Sequence, residues 1–160
     1  MNKKLRILSC LLIVCSLVLT LSLQIPVYAA EPEIASPSGI LMEQSTGKVL
    51  YEKDADTPRR PASVTKVMTI LLAYEAVRDG KANMEDMVTI SANAAGYGGS
   101  TILLEEGEQI SLENLIKGMC IASGNDAAIA TAEYIGGSQE QFVEMMNQRA
   151  QELGMVNTHF

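Results

Sequence analysis

The sequence predicts an α+β fold in which a two-stranded antiparallel hairpin precedes a mainly helical block. Three observations predict it. Two short apolar runs, Gly39 to Met42 and Val49 to Tyr51, flank the turn-forming stretch Glu43-Gln44-Ser45-Thr46-Gly47-Lys48, which is a hairpin pattern. Further along, apolar residues recur at helical spacing in segments bounded by capping and stopping residues. No internal repeat or low-complexity tract interrupts that order. Two strands alone are marginal in water, so the architecture asks for more sheet than this chain supplies.

Residues 1–29 read as a secretory signal peptide rather than as part of the fold. Lys3, Lys4 and Arg6 form a basic start, Ile7 to Leu23 is apolar, and Val27-Tyr28-Ala29 offers small-residue cleavage positions. The competing reading is an uncleaved anchor; the apolar run is near the lower limit for a spanning helix and a plausible cleavage site follows it. The protein is therefore expected to be exported across the cytoplasmic membrane, to its extracellular face, the cell wall or the periplasm. Residues 30–37 (AEPEIASP) form a polar leader outside the core.

The hairpin follows, and Lys53 to Arg60 is a charged connection into the first helix. Pro61 and Ala62 mark the start of that helix, since proline fits a first turn where its missing N–H is no loss. Val67, Ile70, Leu71 and Tyr74 lie at helical spacing with Met68, Leu72 and Ala73 between them, which predicts a helix buried nearly all round. Asp79-Gly80 ends it. Met87 to Ile90 reads as a short extended stretch and Asn93 to Ser100 as a glycine-rich loop. Ser111 caps a helix whose apolar face is Leu112, Leu115, Ile116 and Met119, and which stops near Ser123-Gly124. An alanine-rich helix runs from about Asp126 to Ile135 and ends at Gly136-Gly137. Ser138 with Gln141 forms a capping-box signal for the last helix, with Phe142, Met145, Met146 and Leu153 on its apolar face.

Composition excludes several functions. Loss of residues 1–29 takes the formal net charge from −7 to about −10, so nucleic acid and anionic membrane surfaces are poor partners. Cys10 and Cys15 leave with that segment, and Cys120, between Met119 and Ile121, reads as a core residue. A nucleophilic cysteine wants a histidine, and His159 is the only one. A zinc site fails for want of ligands, and no cofactor is implied.

Ser63 and Lys66 carry the chemistry. Residues three apart share one helix face, so hydroxyl and amine point into the same cleft, with Ser63 near the positive end of the helix dipole. A serine hydroxyl is a weak nucleophile that needs a neighbour to take its proton. A lysine does so only when neutral, which requires its pKa of about 10.4 to fall by roughly 3 units through burial or a nearby positive charge. The pattern alone is weak, since roughly one match is expected by chance in a chain of this length, and Ser45-Thr46-Gly47-Lys48 also matches it at the hairpin turn. Ser-x-Asn likewise occurs twice, at Ser91-Ala92-Asn93 and at Ser123-Gly124-Asn125. Helical context selects Ser63 and Lys66, and a short connection between helices selects Ser123 and Asn125. The competing reading of Ser123 and Asn125 is a helix C-terminus and the next N-cap.

Both motifs and their flanks, GILMEQSTGKVLYEKDADTPRRPASVTKVMT and SGNDAAIATAEYIGGSQEQFVEMMNQRAQELGMVNTHF, resemble secreted D-alanyl-D-alanine carboxypeptidases, the low-molecular-mass penicillin-binding proteins. The resemblance runs from about Ile34 to Phe160. It implies a β-lactamase/DD-peptidase-like α+β fold, an antiparallel sheet plus a helical subdomain, with residues 38–160 as its N-terminal portion. It also implies that Ser63 attacks the carbonyl of the penultimate D-alanine in a peptidoglycan stem peptide, forming an acyl-enzyme. Lys66 is then the general base, Ser123 passes a proton to the leaving amine, and Asn125 binds the substrate backbone while helping to hold Lys66. β-Lactam antibiotics are expected to acylate Ser63 too. The family's third element, Lys-Thr-Gly on a later strand, occurs nowhere in this chain. As written, the chain resembles the first half of such an enzyme, lacking the later sheet strands and the C-terminal region that usually carries a membrane-associating helix. A non-catalytic secreted fragment and, on weaker grounds, a serine β-lactamase are the competing readings.

Overall fold

The structure is a computed structural model that describes residues 32–160 together with Ile7, Ser9 and residues 11–16. Those few N-terminal residues are helical; the rest of the expected signal peptide, including its cleavage site, lies outside the described residues. Among the described residues no helix is long and apolar enough to cross a membrane. The chain divides into two compact units, 1–57 and 58–160.

In the first unit, β1 (Gly39–Met42) and β2 (Val49–Lys53) pair antiparallel, Gly39 opposite Lys53 and Leu41 opposite Tyr51, with an irregularity between Leu41 and Met42. The turn is closed by one carboxylate. Glu43 accepts from the Ser45 N–H at 2.9 Å, the Ser45 hydroxyl at 2.8 Å and the Thr46 N–H at 2.8 Å, and also from the Thr46 hydroxyl. Gly47 takes a φ of +69° there, a conformation that suits a residue without Cβ. The leader is tied to the hairpin, since the Lys53 ammonium donates to the Ile34 and Ser36 carbonyls at 2.9 and 3.0 Å. Ile40, Leu41, Met42, Val49 and Leu50 are all exposed.

The second unit holds α1 (Lys66–Arg78), β3 (Met87–Thr89), α2 (Ala92–Ala95), β4 (Gln109–Ser111), α3 (Leu112–Ala122), α4 (Asn125–Gly136) and α5 (Gln139–Glu152). A 3-10 turn, Ala62–Thr65, precedes α1. The centre is α4, packed by α1, α2, α3 and α5. Its inward residues Ala127, Ala130, Thr131 and Ala132 are small, which lets neighbouring helices approach from several sides. Thr131 is fully buried, and its hydroxyl is satisfied by the Ala127 carbonyl at 2.8 Å. One core cluster joins Ala73, Val88, Ile90, Leu112, Leu115, Ile116 and Met119 to α4; a second joins Met68, Leu72, Phe142, Met146 and Ala150. Arg149 on α5 grips the Glu75 carboxylate on α1 with two guanidinium nitrogens, at 2.8 and 3.1 Å.

Several expectations are corrected. β4 replaces a stretch that showed no strand signal, pairing with β3 through Val88 and Ile110. Part of the expected loop after Asn93 is the short helix α2, capped by the Ser91 hydroxyl, which accepts from the Ala94 N–H at 3.0 Å. α1 is not buried all round: Val67 and Tyr74 are 63% and 52% exposed, while Met68, Thr69, Leu72, Ala73 and Ala76 face inward. Cys120 is exposed, not core; Leu112, Leu115, Ile116 and Met119 occupy the inward face of α3, which turns Cys120 and Ile121 outward. Met145 on α5 and Leu153 at its C-cap are exposed, and Ala150 takes the inward position.

Candidate active site

The site is assembled in the second unit around the amine of Lys66. Ser63 lies on the 3-10 turn and Lys66 opens α1. A 3-10 turn repeats every three residues, so positions i and i+3 eclipse, which aligns these two side chains more closely than an α-helix does. Ala62, immediately before Ser63, has a φ of +50°. Ser63 is exposed and Lys66 is only 9% exposed, an open hydroxyl beside a largely covered amine.

The remaining partners come from the α3–α4 connection. Ser123 is the C-cap of α3 in the left-handed conformation (φ 56°, ψ 35°), Gly124 is the N-cap of α4, and Asn125 is its first residue. The Lys66 amine reaches Asn125, Ser123 and Ser63: it donates to Asn125 Oδ1 at 2.6 Å, and lies 3.3 Å from Ser123 Oγ and 3.4 Å from Ser63 Oγ. The other three residues singled out in the sequence therefore converge on the Lys66 nitrogen; Ser123 is at the same time the C-cap of α3, whereas the N-cap of α4 is Gly124 and not Asn125.

The competing matches do not converge. The Ser45 hydroxyl and N–H are both spent on Glu43 within the hairpin turn. Ser91 donates to Glu133 Oε2 at 2.6 Å and Asn93 donates to Glu133 Oε1 at 2.8 Å, which ties α2 to α4.

Sequence reasoning missed the loop that flanks Asn125. The Asn125 N–H donates to the Ser100 carbonyl at 2.7 Å, and its Nδ2 donates to the Gly98 carbonyl at 2.8 Å. Asp126, 1% exposed, accepts from the Ile102 and Leu104 N–H groups at 3.0 and 3.1 Å. Asp126 reads locally as an ordinary first-turn acid of a helix; Gly124, two residues before it, is the one local sign of crowding there.

Residues 26–160 match the peptidase S11 family, described as D-alanyl-D-alanine carboxypeptidase. The chain is 52% identical over 123 residues to D-alanyl-D-alanine carboxypeptidase DacF of Bacillus subtilis (strain 168), covering 77% of this chain and 32% of that protein. It is 43% identical over 144 residues to DacC of Escherichia coli (strain K12), covering 83% and 36%. Among solved structures, DacD from Francisella tularensis superposes with a TM-score of 0.82 at 42% identity, over 86% of this chain and 33% of that one. The R248L mutant of Streptomyces K15 DD-transpeptidase gives 0.75 at 34% identity, over 81% and 53%. This chain spans about a third of the length of these two curated relatives. Its helices and small antiparallel sheets agree with the expected DD-peptidase-like α+β class. The chain belongs to the D-alanyl-D-alanine carboxypeptidase family, peptidase S11.

Proposed function

We propose that this chain carries the acylation machinery of an exported serine D-Ala-D-Ala carboxypeptidase that trims peptidoglycan stem peptides and is acylated by β-lactams. The observation that supports this most is the convergence of Ser63 Oγ, Ser123 Oγ and Asn125 Oδ1 on Lys66 Nζ at 3.4, 3.3 and 2.6 Å. The Lys66 amine donates to Asn125 Oδ1 and Ser123 Oγ and lies within reach of the Ser63 hydroxyl. A distance of 3.4 Å is long for proton transfer, and such contacts tighten when substrate binds.

In the proposed reaction Lys66 takes the Ser63 proton as Oγ bonds to the carbonyl carbon of the penultimate D-alanine. The oxyanion is stabilised in part by the Ser63 backbone N–H, a type of donor worth about 3 to 4 kcal/mol in the transition state. As the C–N bond breaks, the proton passes from Lys66 through Ser123 to the departing amine, and terminal D-alanine leaves. Water then attacks the Ser63 ester, giving its proton back through Lys66 and restoring the hydroxyl. Asn125 holds the amine and hydrogen-bonds the substrate backbone.

Labelling of the full-length protein with fluorescent penicillin tests this reading. Ser63→Ala is expected to abolish the labelled band and Ser45→Ala to leave it at wild-type intensity. Equal labelling of wild type and Ser63→Ala overturns the assignment.

A further inference from the structure

We infer that Asp126 is a positioning residue which, through loop 98–104, sets the orientation of the Asn125 amide; this rests on the acylation reading above. The Asn125 amide is nearly symmetric in shape, yet its two ends face opposite demands. Lys66 Nζ offers a hydrogen at 2.6 Å and requires the oxygen; the Gly98 carbonyl at 2.8 Å requires the nitrogen. Rotated by half a turn, the amide sets oxygen against oxygen at Gly98 and donor against donor at Lys66. The Gly98 carbonyl therefore decides which end meets the amine.

Asp126 holds the other end of the same loop. Its carboxyl oxygens accept from the Ile102 N–H at 3.1 and 3.0 Å, from the Leu104 N–H at 3.1 Å and from the Ala127 N–H at 2.8 Å. Leu103 between them adopts a φ of +62°, so the flanking N–H groups turn toward one acceptor. Gly124 leaves room for this: a Cβ there lies 2.9 Å from Asp126 Oδ1. Gly99 does the same for the amide, since a Cβ at its φ of +88° lies 2.7 Å from Asn125 Nδ2. Two adjacent residues of α4 thus clamp one loop at both ends, and the loop returns a carbonyl to the side chain that contacts Lys66.

The test is a double-mutant cycle in the full-length protein, with the acylation rate and the non-covalent dissociation constant for a penicillin measured separately by stopped flow and mass spectrometry. Asp126→Asn loses acceptor capacity for the loop and is expected to slow acylation at least about ten-fold with little change in the dissociation constant, as expected for misplacement of a group near the reacting atoms. In an Asn125→Ala background the same substitution is expected to change acylation by less than about two-fold, because the side chain through which it acts is gone. Wild-type acylation by Asp126→Asn overturns the inference, as does an equal loss in both backgrounds, which marks a general effect on stability. If Asp126→Asn does not fold, Asp126→Ser, which keeps one acceptor oxygen, takes its place in the cycle: a loss confined to the background that retains Asn125 supports the inference, and no loss, or an equal loss in both, overturns it. Ser63→Ala serves as the separate check, since acylation persisting there overturns the underlying reading and not the role of Asp126.

Discussion

Ala62, which precedes Ser63, and Ser123 both take positive φ, at 50° and 56°. Residues with a Cβ pay roughly 1–2 kcal/mol for this conformation, and glycine is the usual occupant of a helix C-terminal position of this kind. At Ser123 the strain is tolerated where a hydroxyl lies 3.3 Å from Lys66 Nζ. Ser123→Gly is accordingly expected to leave stability unchanged or raise it by up to about 1 kcal/mol, while slowing acylation by penicillin. Chemical denaturation and stopped-flow acylation on the same preparation check both halves. A variant that loses stability and keeps the wild-type rate contradicts the proposed proton-relay role. At this scale the Ser63 and Lys66 pairing was legible because it is local, three residues apart on one turn. The link between Asp126, Gly98 and Asn125 was not, because the loop contacts of Asp126 and Asn125 lie more than twenty residues away in the chain.

Elements were legible where a side chain caps its own helix. Ser111 accepts from the Asn114 N–H at 3.3 Å and Ser138 from the Gln141 N–H at 3.2 Å, both contacts spanning three residues. β4 was not legible, since a three-residue strand carries almost no periodicity and exists through its pairing with β3. The hairpin turn supplies the prediction proper to this scale. Hydrogen bonds from the Thr46 hydroxyl, and then from Ser45 by backbone and side chain, hold the Glu43 carboxyl at about 2 against an ordinary 4.5. A lowered folded-state pKa stabilises the turn above pH 4.5, and that contribution is lost as pH falls from 4.5 through about 2. NMR titration of Glu43 is expected to show an apparent midpoint near 2, with the Ser45 and Thr46 amide signals moving over the same range. A midpoint at the ordinary value means the turn is open in solution.

For the whole molecule, the second unit has a packed core around α4, yet Val64, Val67, Leu103 and Ile121 are 65%, 63%, 83% and 84% exposed. Exposed apolar side chains singly are common; here all four adjoin segments that build the site. The relatives named as carboxypeptidases are chains of which this one spans about a third. The 160-residue chain alone is therefore expected to release little or no D-alanine from a stem-peptide analogue, as followed by a coupled D-alanine assay. Turnover at a rate typical of enzymes shows instead that these residues suffice. The sequence by itself determined the four longer helices, the Ser111 and Ser138 caps, the hairpin and the proximity of Ser63 to Lys66, because each depends on contacts within a few residues or on a periodicity visible along the chain. Tertiary structure alone decided which helix faces are covered, turning Cys120 outward. It also decided which distant loop meets Asn125 and how Asp126 secures it. Such contacts are set by packing between segments far apart in the chain, and local pattern carries no record of them.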